Sequence, residues 1–561
     1  MTLEEQIGQL LVVGFWGTTP TPEILDLIQN HHIGGIIFFS RNVQDAQQVL
    51  ELTSYLQMAA KAAGHRYPLL IATDQENGMV QRLGSAVTSF PGNMALGAIG
   101  SEHLVYDVAL ATGRELKALG INMNLAPVVD VNNNPANPVI GVRSFGEDPY
   151  QVAQLTAAAV KGYRKAGVMT SLKHFPGHGD TAVDSHLALP SIPHTLERLE
   201  ATELVPFKSG IAAGADSVMI AHLHIPALMS HPVQAATLSP TIVQELLREK
   251  LGFTGVIISD CLEMRAISET VGVEQGAVLA LQVGIDLILV SHLYPRQRAS
   301  IEALLAAVQA GEISRQTVEQ AAERVLKLKE QFLNWDELLP FKKTVGERDE
   351  AHQQLRDRAY ELSTTLVKNE DGLLPLRLAS TAGFVGADVS RPNQENGLRL
   401  ALTDRLLVLF PQRENWTMAE DRHYPSEFFV ESIRQRHANT TALSISPSST
   451  QADYEEIFCV VRKSKAIIML TVNAYLDQQQ ADLMQSLIRS GLPIIGIAVY
   501  NPYDLLAFAG LKTYMVTYEY TEPALAAAVR VLFGEISPRG CLPVSLPGLY
   551  SVGSASVPIL G

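Results

Sequence analysis

The chain has 561 residues, 47% of them hydrophobic and 18% charged, which is enough for large cores and too long for one ordinary domain. Lys and Arg number 43 against 58 Asp and Glu, a formal charge of −15, so the basic face that nucleic acid or an anionic membrane would need is not expected. Cys261, Cys459 and Cys541 are few, odd in number and far apart, which excludes a disulfide framework and fits a reducing compartment. The N-terminus turns acidic at Glu4 and Glu5 where a signal peptide would be basic. No run of about 18 apolar residues follows, so a cytoplasmic protein without a membrane span is expected.

Over the first 330 residues, short β-branched apolar runs alternate with longer segments of helical period. Strands are predicted at 11–15, 33–39, 69–74, 121–131, 168–175, 217–223, 255–260 and 285–292. Amphipathic helices lie between them, for example at 149–167 and 239–252. The second of these has Ser239 as N-cap, Pro240 at the first helical position and Gly252 as its stop. Strands apolar on both faces that alternate with helices form parallel sheets, and eight of them predict a (β/α)8 TIM-like barrel. The expected domains are a catalytic barrel over 1–332, a linker over 333–350 and a smaller α/β sandwich over 351–561. Strands of the sandwich are predicted at 466–472, 492–500 and 513–520, with no comparable cluster of polar strand ends.

In the barrel half, Asp74, Asp130, Lys173, His174, His222, Asp260 and His292 all fall at the carboxyl ends of predicted strands. That end of a barrel is where active sites are built. The stretch KHFPGHGDTAVDSH, 173–186, adds His178 and His186 and several residues that fix backbone geometry. His222 and His224 form an HxH pair that could hold a divalent ion with the loop histidines and Asp260, but the Lys173 ammonium would repel a cation there. Gly177 and Gly179 lack the helix start of a phosphate loop. His178 and His194 read as solvated loop histidines without a chemical role. Asp184 and His186, one residue apart, can point to the same side, the carboxylate fixing the imidazole tautomer and raising its basicity. With Asp260 as a carboxylate nucleophile opposite, this is the plan of retaining glycoside hydrolysis, a His–Asp dyad replacing the second carboxylic acid.

The segments TDQENGMVQRL (73–83), APVVDVNNNPANPVIGVRSFGEDP (126–149), KHFPGHGDTAVDSH (173–186), MIAHLHIPAL (219–228) and FTGVIISDCLEM (253–264) resemble, in order, those of family 3 glycoside hydrolases, in particular the NagZ-type β-N-acetylglucosaminidases. STTLVKNEDGLLPL (363–376) and FGEISPRGCLPVSLP (533–547) are more loosely similar to the family's C-terminal domain. The resemblance implies Asp260 as nucleophile, His186 as acid/base and Asp184 as its partner. It implies Asp74, Arg82, Arg143, Lys173 and His174 as residues that bind the sugar. For Arg82 an ion pair with Glu76 is the structural alternative. Asn77, Met79 and Cys261 depart from the family's usual residues; Cys261 is expected to point away from Asp260.

The implied activity is release of terminal β-linked N-acetylglucosamine (GlcNAc) from muropeptides, in cell-wall recycling, with no cofactor and no metal. The partner is a carbohydrate, and the protein is expected to be a monomer or homodimer. The alternatives are a phosphorylase giving GlcNAc-1-phosphate, since a histidine base carries no negative charge to repel phosphate, a family 3 β-glucosidase, and a sugar-binding scaffold. The glycines between Lys173 and Asp184 are expected to let the loop close.

Overall fold

The computed structural model describes residues 1–182, 189–229, 234–338, 344–345, 349–380, 383–384, 397–412 and 424–556. The chain forms two compact units. One comprises Met1–Phe90, Ser101–Ser144 and Asp148–Gln353, the other Pro91–Gly100, Phe145–Glu147 and Gln354–Gly561.

The first unit is built on eight parallel strands: β1 (Leu11–Val13), β2 (Gly35–Phe38), β3 (Leu70–Thr73), β4 (Met123–Asn124), β5 (Met169–Phe175), β6 (Ser217–Ile220), β7 (Val256–Ser259) and β8 (Ile288–Val290). They pair in the order β8-β1-β2-β3-β4-β5-β6-β7, and a parallel bridge from Ile258 to Leu287 joins the two ends into a barrel. Every strand residue is buried, as expected where one face fills the barrel and the other packs on helices. Each predicted apolar run contains one of these strands. The run at 121–131 contributes only two ladder residues and a bridge from Val128 to Lys173, because Pro127 brings no N–H to the ladder.

The helices end where local chemistry stops them. Pro149–Ala166 starts on Asp148, whose carboxylate accepts from Tyr150 N, and ends at Gly167 with φ +79°. The helix Thr241–Lys250 is π-wound; Ser239 Oγ accepts from Ile242 N at 3.4 Å and Gly252 turns the chain at φ +66°. Among the described residues no helix is long and apolar enough to cross a membrane.

The second unit holds a six-stranded sheet of β9 (Thr365–Asn369), β10 (Leu406–Pro411), β11 (Thr440–Ile445), β12 (Ala466–Thr471), β13 (Ile494–Ala498) and β14 (Thr513–Val516). Its order is β9-β14-β13-β12-β10-β11, parallel except for β9. Glu519 is buried here and accepts from Gly92 N at 2.7 Å and from Tyr360 Oη at 2.8 Å. No cluster of polar strand ends was expected in this half, yet Asn473, Asn501 and Asp504 are buried after β12 and β13. Asn501 Nδ2 donates to Asn473 Oδ1 at 2.9 Å, and burial pushes the Asp504 carboxyl up to about 7.

Below the barrel, on the helix Arg315–Phe332, Lys329 is fully buried and donates to Gln9 Oε1 at 2.7 Å. Burial pulls its pKa down to about 7. The unfolded chain therefore holds a proton that the folded one releases above pH 7, so stability rises with pH from about 7 towards the unfolded value and the penalty is complete below 7. Lys329→Met is expected to raise the unfolding free energy at pH 6 relative to the parent. That advantage should shrink by roughly a few kcal/mol by pH 9, in urea titrations at the two pH values. A difference independent of pH would show that Lys329 is not titrating.

Candidate active site

β3 delivers Asp74 at its carboxyl end, and a tight hairpin follows, Gln75–Asn77 against Val80–Gln81. Asn77 turns it at φ +69°, a conformation in which asparagine is the best tolerated residue after glycine. Its Nδ2 donates to Thr112 Oγ1, and Met79 is buried. The hairpin aims Glu76 inwards. A short helical turn, Gly141–Arg143, brings Arg143 to it, and β5 brings Lys173.

Arg143 grips Glu76 with two parallel bonds, Nε to Oε2 and Nη2 to Oε1, both 2.8 Å, and its Nη1 donates to Val139 O. Lys173 Nζ lies 2.6 Å from Glu76 Oε1 and 2.6 Å from Asp74 Oδ1. Arg82 Nε stands 3.9 Å from Asp74 Oδ2, so its carboxylate neighbour is Asp74, and the Glu76 pairing considered from the sequence belongs to Arg143 and Lys173 instead. Burial alone would raise the Glu76 pKa, but Arg143 and Lys173 outweigh it and hold the carboxyl well below the usual range. Glu76, considered from the sequence only as a possible partner of Arg82, was missed as a member of the site; the signal was its place two residues past the strand-end Asp74.

His174 is oriented by a second buried carboxylate. Its Nδ1 lies 2.8 Å from Asp130 Oδ2, and its Nε2 lies 3.4 Å from Arg143 Nη2. Arginine can only donate, so Nε2 accepts and Nδ1 carries the proton that goes to Asp130. Asp130 also takes the His178 backbone N–H at 2.7 Å. Burial opposes ionisation of Asp130, and the His174 and His178 contacts hold its pKa low all the same.

His178 is not the solvated loop histidine expected: it is buried, bonded to Thr181 Oγ1 at 2.9 Å, and burial drops its pKa to about 4. His194, half-buried, pairs with Asp180 at 2.7 Å. The glycines of this loop have a steric reason. A Cβ at Gly179 would sit 1.8 Å from Val131 O, and Gly177 adopts φ +131°.

Asp260 follows β7 at the same end of the barrel, and its Oδ1 accepts from Cys261 N at 2.7 Å. Cys261 Sγ lies by Glu263, 3.9 Å from Oε2. Cys261, Glu263 and His292 bring a thiol, a carboxylate and an imidazole within 4.8 Å of one another. A metal fits poorly there. Arg41 Nη1 lies 3.1 Å from His292 Nδ1, both Glu263 oxygens accept backbone N–H groups from His292 and Leu293, and burial pushes the Cys261 thiol up to about 12. The HxH pair does not converge either: His222 spends both ring nitrogens on Thr237 Oγ1 and Cys261 O, while His224 Nδ1 faces Gln234 O. Asp184 and His186 lie outside the described residues.

Strand-end carboxylates, a lysine and an arginine that converge at one barrel mouth can hold a neutral polyol, and comparisons with known proteins decide the family. Residues 2–328 match the model of the glycosyl hydrolase family 3 N terminal domain. The chain belongs to glycosyl hydrolase family 3. It is 39% identical over 569 aligned residues to "Beta-hexosaminidase A" of Pseudoalteromonas piscicida, covering 94% of this chain and 92% of that one. A family 3 β-N-acetylglucosaminidase structure from Paenibacillus sp. str. FPU-7 superposes with a TM-score of 0.88 at 38% identity, over 99% of this chain and 100% of the other. A fungal multi-domain family 3 β-N-acetylglucosaminidase matches with a TM-score of 0.89 at 43% identity; this chain spans 62% of that protein's length. The protein is thus a glycoside hydrolase with the family's barrel and second α/β domain.

Within this family 3 site, Glu76→Gln is expected to cost on the order of 3–5 kcal/mol of unfolding free energy, because two buried cations lose their common counter-charge. Urea unfolding measures it. A cost below about 1 kcal/mol would show that Glu76 is not what holds Arg143 and Lys173.

Proposed function

We propose that the protein is a retaining exo-β-N-acetylglucosaminidase. The observation that carries this reading is the joint hold of Asp74, Glu76, Lys173 and Arg143 on one another at the barrel end where Asp260 also stands. The family 3 relatives named β-hexosaminidase and β-N-acetylglucosaminidase support the choice of sugar.

In this reading Asp74, Arg82, Arg143, Lys173 and His174 bind the terminal sugar. An Asp260 carboxylate oxygen attacks the anomeric carbon, the glycosidic C–O bond breaks, and the leaving oxygen takes a proton from His186. Water then attacks the glycosyl-enzyme ester, gives its proton back to His186, and the Asp260–carbon bond breaks to release GlcNAc with its configuration retained. Asp184 holds the His186 tautomer throughout. The substrates we propose are muropeptide-type glycosides ending in β-GlcNAc, met in the cytoplasm during cell-wall recycling.

The test compares nitrophenyl β-GlcNAc with nitrophenyl β-glucoside, with and without inorganic phosphate, in the parent, Asp260→Ala and His186→Ala. The GlcNAc glycoside should be strongly preferred, with free GlcNAc the product in both buffers. Asp260→Ala should lose activity on the order of a thousandfold or more. His186→Ala should lose less on the nitrophenyl glycoside than on a disaccharide, whose leaving oxygen needs the proton more. Preference for the glucoside would overturn the sugar assignment, and accumulation of GlcNAc-1-phosphate would replace hydrolysis by phosphorolysis.

A further inference from the structure

The loop after β1 displays Trp16 with 63% of its surface exposed, at the barrel end that carries Asp74 and Asp260. A single exposed hydrophobic residue is ordinary, and indole left in water forgoes burial energy for no structural return. This one is held in place. Arg41 sits beside it, its guanidinium carbon 4.6 Å from the indole centroid and 4.2 Å from that of Phe39.

Arg41 is itself fixed by Nε to Phe15 O at 2.9 Å, Nη2 to Ser291 O at 2.7 Å and Nη1 to His292 Nδ1 at 3.1 Å. Buried Asn42 donates to Phe15 O at 3.1 Å and to Gly17 O at 2.9 Å, pinning the backbone on either side of the indole. The arrangement runs on towards the sugar cluster: Arg82 lies 5.8 Å from the Phe39 ring and pairs with Asp74. An indole kept in water, backed by a tethered guanidinium and anchored on both sides, is a pre-organised flat apolar surface at the mouth of the site. The C–H face of a pyranose ring is the group that matches it.

We propose that Trp16 is the floor of a leaving-group subsite, on which the second pyranose ring of a β-linked disaccharide or oligosaccharide stacks. This rests on the exo-glycosidase reading above. Arg41 and Asn42 act as positioning residues for the indole.

The experiment measures kcat/KM for a GlcNAc-β-1,4-GlcNAc disaccharide and for GlcNAc β-azide, whose leaving group has no ring, in the full-length parent, Trp16→Ala and Trp16→Phe. The disaccharide-to-azide ratio should fall at least tenfold in Trp16→Ala, mainly through KM on the disaccharide, and recover substantially in Trp16→Phe. Thermal melting shows that the variants fold. An unchanged ratio, whether both substrates suffer equally or neither does, overturns the subsite while leaving the glycosidase reading intact. A parent that cleaves neither substrate overturns the glycosidase reading, and this subsite with it.

Discussion

Two cations and two histidines buried at the end of a barrel are a problem before they are a site. Taking a lysine and an arginine out of water costs several kcal/mol each unless counter-charge meets them at short range. Glu76 supplies it, accepting two bonds from Arg143 and one from Lys173, and Asp74 takes Lys173's other contact. Among the buried groups around Glu76 the charges match: Asp74, Glu76 and Asp130 face Arg82, Arg143 and Lys173, with His174 donating to Asp130. A neutral sugar can enter such a group without bringing or removing charge. Its hydroxyls need only share bonds that the residues already make with one another.

That balance also accounts for the order of dependence. β5 and the turn Gly141–Arg143 fix where Lys173 and Arg143 stand, but two like charges would splay apart without a carboxylate between them. The hairpin that carries Glu76 is therefore as much part of the site as the strands, and Asn77 at its left-handed turn is part of the hairpin. On the far side, Gly179 lets the loop after β5 press on Val131, which brings the His178 N–H within reach of Asp130.

The barrel was legible because its strands are apolar on both faces, a pattern open to few folds, and because polar residues interrupt the pattern only at strand ends. Pairings within the site were not legible. Arg82 and Glu76 are six positions apart and invite pairing on paper, but the hairpin reverses the chain between them and sends each to a different partner. Asp130 and His174 are 44 residues apart, and nothing local marks them as a couple. His178 looked solvated because Gly and Pro flank it; what buries it is backbone packing, which composition does not express. In the second unit β9, β10 and β11 went unread, the last because TTALSI alternates weakly and leaves half its side chains partly exposed. The Asp184–His186 dyad rests on their one-residue spacing and on the resemblance to family 3.

The second unit includes ten residues, 91–100, and three more, 145–147, that lie within the sequence span of the barrel. The helix Asn93–Ile99 begins with Gly92 N–H on the Glu519 carboxylate, Cys541 N donates to Ala98 O, and Glu147 takes Ser545 N. The order of segments along the chain therefore alternates between the two units. Residue 353 is consequently no seam: a chain severed there would carry away, on the barrel piece, the parts that finish the other piece's core. Removing the second unit cleanly would mean replacing residues 91–100 and 145–147 as well, which a stop codon after the barrel leaves in place.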